Sequence, residues 1–170
     1  MLGLRGLRRS QFVFAVKFRS IQRNYRVLHG ADIVSAFEPP VELTRFLCEQ
    51  SLRNLRLRLK FAYITSGPEH ERFGRMLIRS VTSLFVDISE ALRCAIVEIP
   101  RSYPARIPVF ERVLGQEASV LKELLSLKHS PRVLKPEQAH DLHARVFRLQ
   151  TRVLDWMEEQ WPKLGPIPAV

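Results

Sequence analysis

The chain has 170 residues, of which 46% are hydrophobic and 26% are charged, and its formal net charge is +10. This composition fits one globular domain with a sizeable core, and it excludes both a disordered chain and a pair of domains. No apolar run approaches the roughly 18 to 20 residues that a membrane span needs, so we expect a soluble, cytoplasmic protein without a membrane partner.

The first 31 residues hold much of the positive charge. They contain seven basic residues and no acid, so we predict a basic N-terminal arm and linker over residues 1–40. A local positive field attracts any polyanion, so charge alone does not distinguish nucleic acid, an acidic protein and a membrane surface as the target of the arm, although we expect no membrane partner. Within it, residues 11–18 alternate apolar with polar or small residues, a weak strand signal that would need a second strand beside it.

Four helices are predicted in the rest of the chain. Between clusters of proline and glycine, apolar residues recur at alternating steps of three and four, as on one face of a helix. The predicted helices are 41–65, 69–97, 108–128 and 136–161. Long helices with short connections favour an antiparallel up-and-down four-helix bundle, so we predict an all-α domain at 41–162 and a proline-rich tail at 163–170. Cys48 and Cys94 are predicted to be buried thiols in separate helices, as suits a reducing compartment.

Two segments carry a resemblance to a known family. Residues 25–32 read YRVLHGAD, and residues 52–59 read LRNLRLRL after Pro39 and Pro40. This order resembles bacterial nucleotidyltransferase-domain proteins, in which the catalytic domain is followed by a loop with prolines and a Leu/Arg-rich helix. That catalytic domain uses a Gly-Ser turn and paired aspartates to hold metal ions on a nucleoside triphosphate. The chain has no Gly-Ser dipeptide and no Asp-x-Asp, so the resemblance implies the helical binding part alone.

A second resemblance concerns small helical RNases, which carry an arginine and a histidine with four to six residues between them. Arg23 and His29 have five residues between them. In such a pair the histidine acts as general acid or base and the arginine stabilises the phosphate in the transition state. The same spacing arises easily by chance in a basic chain, and His29 is also typical of a polar turn residue before glycine.

Basic side chains form two stripes at helical spacing. The first predicted helix presents Arg45, Arg53, Arg56 and Lys60, and the second presents Arg72, Arg75 and Arg79. If these helices pack as a hairpin, the stripes could join into one face that holds phosphates of a nucleic acid or another anion. The alternative is a solvated exterior whose charge is balanced by nearby glutamates.

We expect no metal and no cofactor. Glu137 and His140 have the spacing of a di-metal carboxylate site, but no second copy of that motif exists in the chain. No serine elbow or glycine-rich phosphate loop is present either.

The sequence therefore favours a non-catalytic helical protein that self-associates through its long helices and binds a substrate or partner for a nucleotidyltransferase-like system. The alternatives are a nucleic-acid-binding module, which would use the basic arm and the first two helices, and a helical RNase. The predicted partners are a nucleotidyltransferase-domain protein, nucleic acid and a second copy of the chain.

Overall fold

A computed structural model describes residues 6, 10, 12–38, 40–66, 70–95 and 97–164, and this part of the chain is helical without a strand. The all-α prediction is confirmed. The alternating residues 12–18 are not a strand, because all of them except Phe14 are helical. The α-helices are α1 (Ala15–Gln22), α2 (Val41–Ser66), α3 (His70–Arg93), α4 (Tyr103–Leu114), α5 (Val120–His129) and α6 (Pro136–Gln160). Two short 3-10 turns lie at Gln116–Ser119 and Trp161–Leu164.

Helices α2 and α3 form an antiparallel hairpin. Three contacts show the direction, because partners late in α2 lie opposite residues early in α3. Arg45 reaches the backbone carbonyl of Cys94, Ser51 reaches Asp87, and the ring of Tyr63 lies against Phe73. The predicted apolar stripes face each other across this hairpin: Cys48, Leu52, Leu55 and Leu59 of α2 and Phe73, Leu77, Val81, Leu84, Ile88 and Leu92 of α3 are all buried.

The predicted helix 108–128 is wrong in its start and in its continuity. The helix begins five residues earlier, at Tyr103, and Pro104 occupies the first turn, where proline costs no hydrogen bond. It ends at Leu114 because Gly115 adopts φ +87° and ψ −168°, a backbone conformation that is almost restricted to glycine. A 3-10 turn follows, and then α5.

Helix α6 closes the core and begins at Pro136, as predicted. It lies against α2, where the guanidinium of Arg56 sits 3.9 Å from the centre of the Phe147 ring. On its other side, Arg145 donates to Glu123 of α5 over 2.6 Å. Its buried side chains, which include Leu142, Val146, Leu149 and Val153, belong to the same hydrophobic core as α2, α3 and α5.

Helix α1 packs on the hairpin. Ala15 is fully buried, and Arg23 just after the helix pairs with the buried Glu90 of α3. The following loop folds back, since the Gln22 amide donates to the carbonyls of Val34 at 2.8 Å and Phe37 at 2.5 Å. The second half of the basic arm is therefore held against α2 and α3, and the boundary at residue 40 stays a prediction.

Both cysteines are free and buried, as predicted, but only Cys48 lies in a helix, because α3 ends at Arg93 and Cys94 follows it in a turn. Burial raises the pKa of the Cys48 thiol well above its ordinary value and that of Cys94 to about 11. Among the described residues, no helix combines the length and apolar character needed to cross a bilayer.

Candidate partner-binding face

The outward side of α2 carries an apolar patch. Three large side chains are mostly exposed there: Leu57 (64%), Phe61 (69%) and Ile64 (68%). Phe46, near the start of the same helix, is 53% exposed. Side chains four and three residues apart are neighbours on a helix, so Leu57, Phe61 and Ile64 form one continuous patch. We call these three residues the α2 face.

The α2 face exists because this helix is apolar on two sides. One side is the buried stripe that ends with Leu55 and Leu59, which are 4% and 1% exposed. A helix with apolar residues on more than one side normally buries them all. No element among the described residues covers the outward side, and an exposed apolar patch of this kind is typical of an interaction surface.

Cations border the α2 face. The sequence from 50 to 66 contains Arg53, Arg56, Arg58 and Lys60 and no acid. Two of these cations are already engaged: Arg53 pairs with Glu49 at 2.8 Å and Glu158 at 3.0 Å, and Arg56 lies over Phe147. Arg58 and Lys60 are exposed and make no ion pair with any residue that the structure describes. Both charges are exposed at this surface, although that of Arg58 also acts on the buried Asp87.

The two predicted basic stripes contact different neighbours. Arg53 and Arg56 face α6, whereas Arg75 and Arg79 line a cavity with the chain that follows α5. The hairpin forms as expected, but these contacts do not place the two stripes on one shared face. Arg72 is exposed on α3.

Arg45 is not on the surface at all. It is 6% exposed, and its Nη2 donates to the carbonyl of Cys94 at 3.4 Å. Its position faces the end of α3 rather than solvent, because the hairpin brings Cys94 beside it. Of the predicted first stripe, Arg53, Arg56 and Lys60 remain at least partly exposed.

Two buried acidic side chains near the end of α3 were not predicted from the sequence. Glu90 is 1% exposed and its Oε1 accepts hydrogen bonds from Arg23 and Arg93. Asp87 is 4% exposed and accepts a 2.7 Å hydrogen bond from Ser51. Burial raises the pKa of Asp87 to about 6, although the Ser51 bond and the charge of Arg58 oppose that shift. The sequence signal that could have indicated their burial is the position of both acids next to the apolar stripe of α3.

The Arg23 and His29 pair is not assembled as a site. The guanidinium of Arg23 is occupied by Glu90 and by the carbonyl of Arg19 at 3.1 Å. His29 is exposed, and no contact joins the two residues in the described part of the chain.

His140, which has the spacing of a di-metal carboxylate motif with Glu137, contacts an aromatic side chain. His140 hydrogen-bonds the hydroxyl of Tyr63, and His143 stacks on the same ring with 4.5 Å between ring centres. Burial, followed by the charge of His140, lowers the pKa of His143. Among the residues that the structure describes, no group of three or more His, Cys, Asp or Glu side chains is placed to hold a metal ion.

Comparisons of the chain with protein-family models, with curated proteins and with solved structures found no match.

Proposed function

We propose that this protein is a non-catalytic helical binding component whose α2 face docks an acidic amphipathic helix of a partner protein. The observation that carries the proposal is the patch of Leu57, Phe61 and Ile64 between the exposed cations Arg58 and Lys60. An amphipathic helix in such a place would set its apolar side on the patch and its carboxylates on the cations.

The energy available at the α2 face supports an interaction surface. Burying a fully exposed Leu, Ile or Phe side chain is worth about 1.5 to 3 kcal/mol. The three residues are about two-thirds exposed, so covering them contributes about 3 to 6 kcal/mol in total before the cost of association. A gain of this size favours reversible binding.

Charge favours an acidic partner over a second copy of the chain. The net charge is +10, and α2 contains no acid after Glu49. Two copies joined through their α2 faces would bring Arg58 and Lys60 of each near those of the other, which is unfavourable when these charges are desolvated. The predicted homodimer is therefore an outcome that the experiment below distinguishes.

The identity of the partner rests on the family resemblance. Residues 52–59 of that resemblance include Leu57 and Arg58, which belong to the α2 face and its border. We propose that the partner carries the nucleotidyltransferase domain that this chain lacks. We also propose that α2, α3, α5 and α6 constitute the predicted antiparallel four-helix bundle, with α4 and α1 added to it. A bacterial origin, which the resemblance to bacterial proteins implies, and a cytoplasmic location stay predictions.

Site-specific photocrosslinking tests the docking proposal. Benzoylphenylalanine replaces Phe61 in the full chain in its native cells, and the matched control carries it at Ala144, an exposed position of α6. We expect an adduct at position 61 alone, joined to an acidic amphipathic segment of another protein. Adducts only to a second copy, to lipid or to nucleic acid, or no adduct, would contradict the proposal. A partner without a transferase motif would leave docking intact and remove the nucleotidyltransferase assignment.

The predicted alternatives have direct tests of their own. Nucleic-acid binding through the basic arm and the first hairpin should weaken steeply with salt, because each phosphate contact releases counterions. The exposed Arg72, Arg75 and Arg79 support that alternative. RNase activity would require His29, so cleavage that persists in His29→Ala would exclude this histidine as the acid or base.

A further inference from the structure

A cavity of about 470 Å³ lies between α3 and the chain that joins α5 to α6. Four cations and one carboxylate line it: Arg75, Arg79, Lys128, Arg132 and Glu71. Its volume is within the range of small-molecule sites in proteins, about 300 to 1,000 Å³.

The cavity is held open by packing around α3. Leu134 is 4% exposed and rests on Gly74, where an added Cβ would lie 3.5 Å from the Leu134 side chain. At the other end, the ammonium of Lys128 donates to the hydroxyl of Thr82. These contacts fix the joining chain at both ends, so the space between them is part of the folded structure.

The charge inside the cavity is poorly compensated. Arg75 pairs with Glu71 at 3.4 Å, but both side chains are more than 60% exposed, which makes this pair weak. Arg79 and Arg132 make no ion pair with any residue that the structure describes. An anion bound here would relieve repulsion between the cations, and two arginines offer the forked donors that match a phosphate group.

The remaining wall of the cavity is apolar. Ile78, Pro131 and Val133 line it, and Val133 is 68% exposed although it is a large aliphatic residue. A simple inorganic anion would leave this wall uncovered. A ligand with both a phosphate and a flat or apolar body would cover it.

We propose that this cavity binds a phosphate group attached to a nucleobase, in a free nucleotide or at the end of a nucleic-acid strand. The phosphate lies against Arg79 and Arg132, and the base lies on Ile78 and Val133. This site shares no residue with the α2 face, so either of the two binding proposals can be contradicted without affecting the other.

Calorimetric titration of the full chain tests the site with four probes: AMP, inorganic phosphate, adenosine and a 5′-phosphorylated oligonucleotide of about six bases. The variants are Arg79→Gln and Arg132→Gln. Arg112→Gln is the matched control, because it removes the same charge from an exposed position of α4. Circular dichroism checks that each variant is folded.

We expect one molecule of AMP or oligonucleotide per chain, with affinity reduced tenfold or more in Arg79→Gln and Arg132→Gln and less than twofold in Arg112→Gln. Binding of the oligonucleotide without AMP assigns the site to a strand end, and binding of AMP assigns it to the nucleotide. The proposal is overturned if phosphate binds as tightly as AMP, if all three variants lose affinity equally, or if no nucleotide probe binds. Phe61→Ser should leave this binding unchanged.

Discussion

Asparagine in place of Asp87 should change how the stability of the protein depends on pH. Asp87 is 4% exposed and its pKa rises from 3.8 to about 6 because burial disfavours the charged carboxylate. The folded state therefore holds a proton that the unfolded state releases between about pH 4 and pH 6. Since the unfolded state binds fewer protons in that window, the free energy of unfolding of the wild type falls as pH rises through it.

The size of this loss follows from the shift in pKa. A change from 3.8 to about 6 corresponds to about 3 kcal/mol, because one pKa unit is worth about 1.4 kcal/mol. The stabilising contribution is complete below pH 4, is lost by about pH 6, and stays lost above it. Asparagine cannot ionise, so Asp87→Asn should gain up to about 3 kcal/mol over the wild type between pH 4 and pH 7.

Urea unfolding at several pH values, followed by tryptophan fluorescence, measures this difference. Trp156 is 6% exposed and should report the loss of the core. Asp155→Asn is the control, because Asp155 is an exposed carboxylate on α6. Ser51→Ala should enlarge the pH effect, since the Ser51 hydroxyl donates to the Asp87 carboxylate at 2.7 Å and lowers its pKa. A stability difference between Asp87→Asn and wild type that is the same at pH 4 and pH 7 would refute the reasoning.

Four further single substitutions and one double variant test the packing. Leu84→Ala should lower the free energy of unfolding by about 2 to 5 kcal/mol, because Leu84 is fully buried. Phe61→Ala, at an exposed position, should change it by less than about 0.5 kcal/mol. Equal losses for the two variants in denaturant melts would contradict the assignment of core and surface. Glu90→Gln should lower the free energy of unfolding by about 3 kcal/mol, because it leaves two arginines without their shared buried carboxylate. A thermal melt unchanged from wild type would show that the charge of Glu90 does not contribute to stability. Gly115→Ala should cost about 1 to 3 kcal/mol, since its backbone has φ +87° and an added Cβ would lie 2.9 Å from Oε2 of Glu117. The double variant Gly115→Ala/Glu117→Ala, measured in the same melts, removes the clash but keeps the positive φ at residue 115. We expect it to recover only part of the lost stability. Full recovery would mean that the backbone conformation itself does not destabilise the variant.

The long helices could be read from the sequence because each has one unbroken apolar stripe that the core covers. The bounds of α2 and α6 agree with the prediction within one residue. The interruption at Gly115 was missed because apolar residues continue at helical spacing through it, from Leu114 to Ala118 and Leu121, and all three are buried. A periodic pattern does not distinguish one helix from two that share a core, when the break is a single glycine.

The candidate sites were less predictable because they depend on residues far apart in the chain. Lys128 and Arg132 join Arg75 and Arg79 around one cavity only because α5 and the chain after it lie beside α3. Arg45 has the spacing of a surface residue, but Cys94, 49 positions later, covers it. The exposed Phe61 was not identified as part of an interaction face, because helical spacing alone does not say which of two apolar sides is covered.

The two cysteines allow the opening of the α2 and α3 hairpin to be measured by the rate of thiol labelling. A thiol reacts as thiolate, and both thiols are buried with a raised pKa. A labelling reagent therefore reaches Cys48 or Cys94 only when that part of the hairpin opens, so the rate of labelling reports the frequency of opening. Cys48 lies in the first part of α2 and Cys94 directly follows α3, so both thiols are at the same end of the antiparallel hairpin. A comparison of the two rates in one sample therefore shows whether that end of the hairpin opens as a unit or whether the end of α3 frays first.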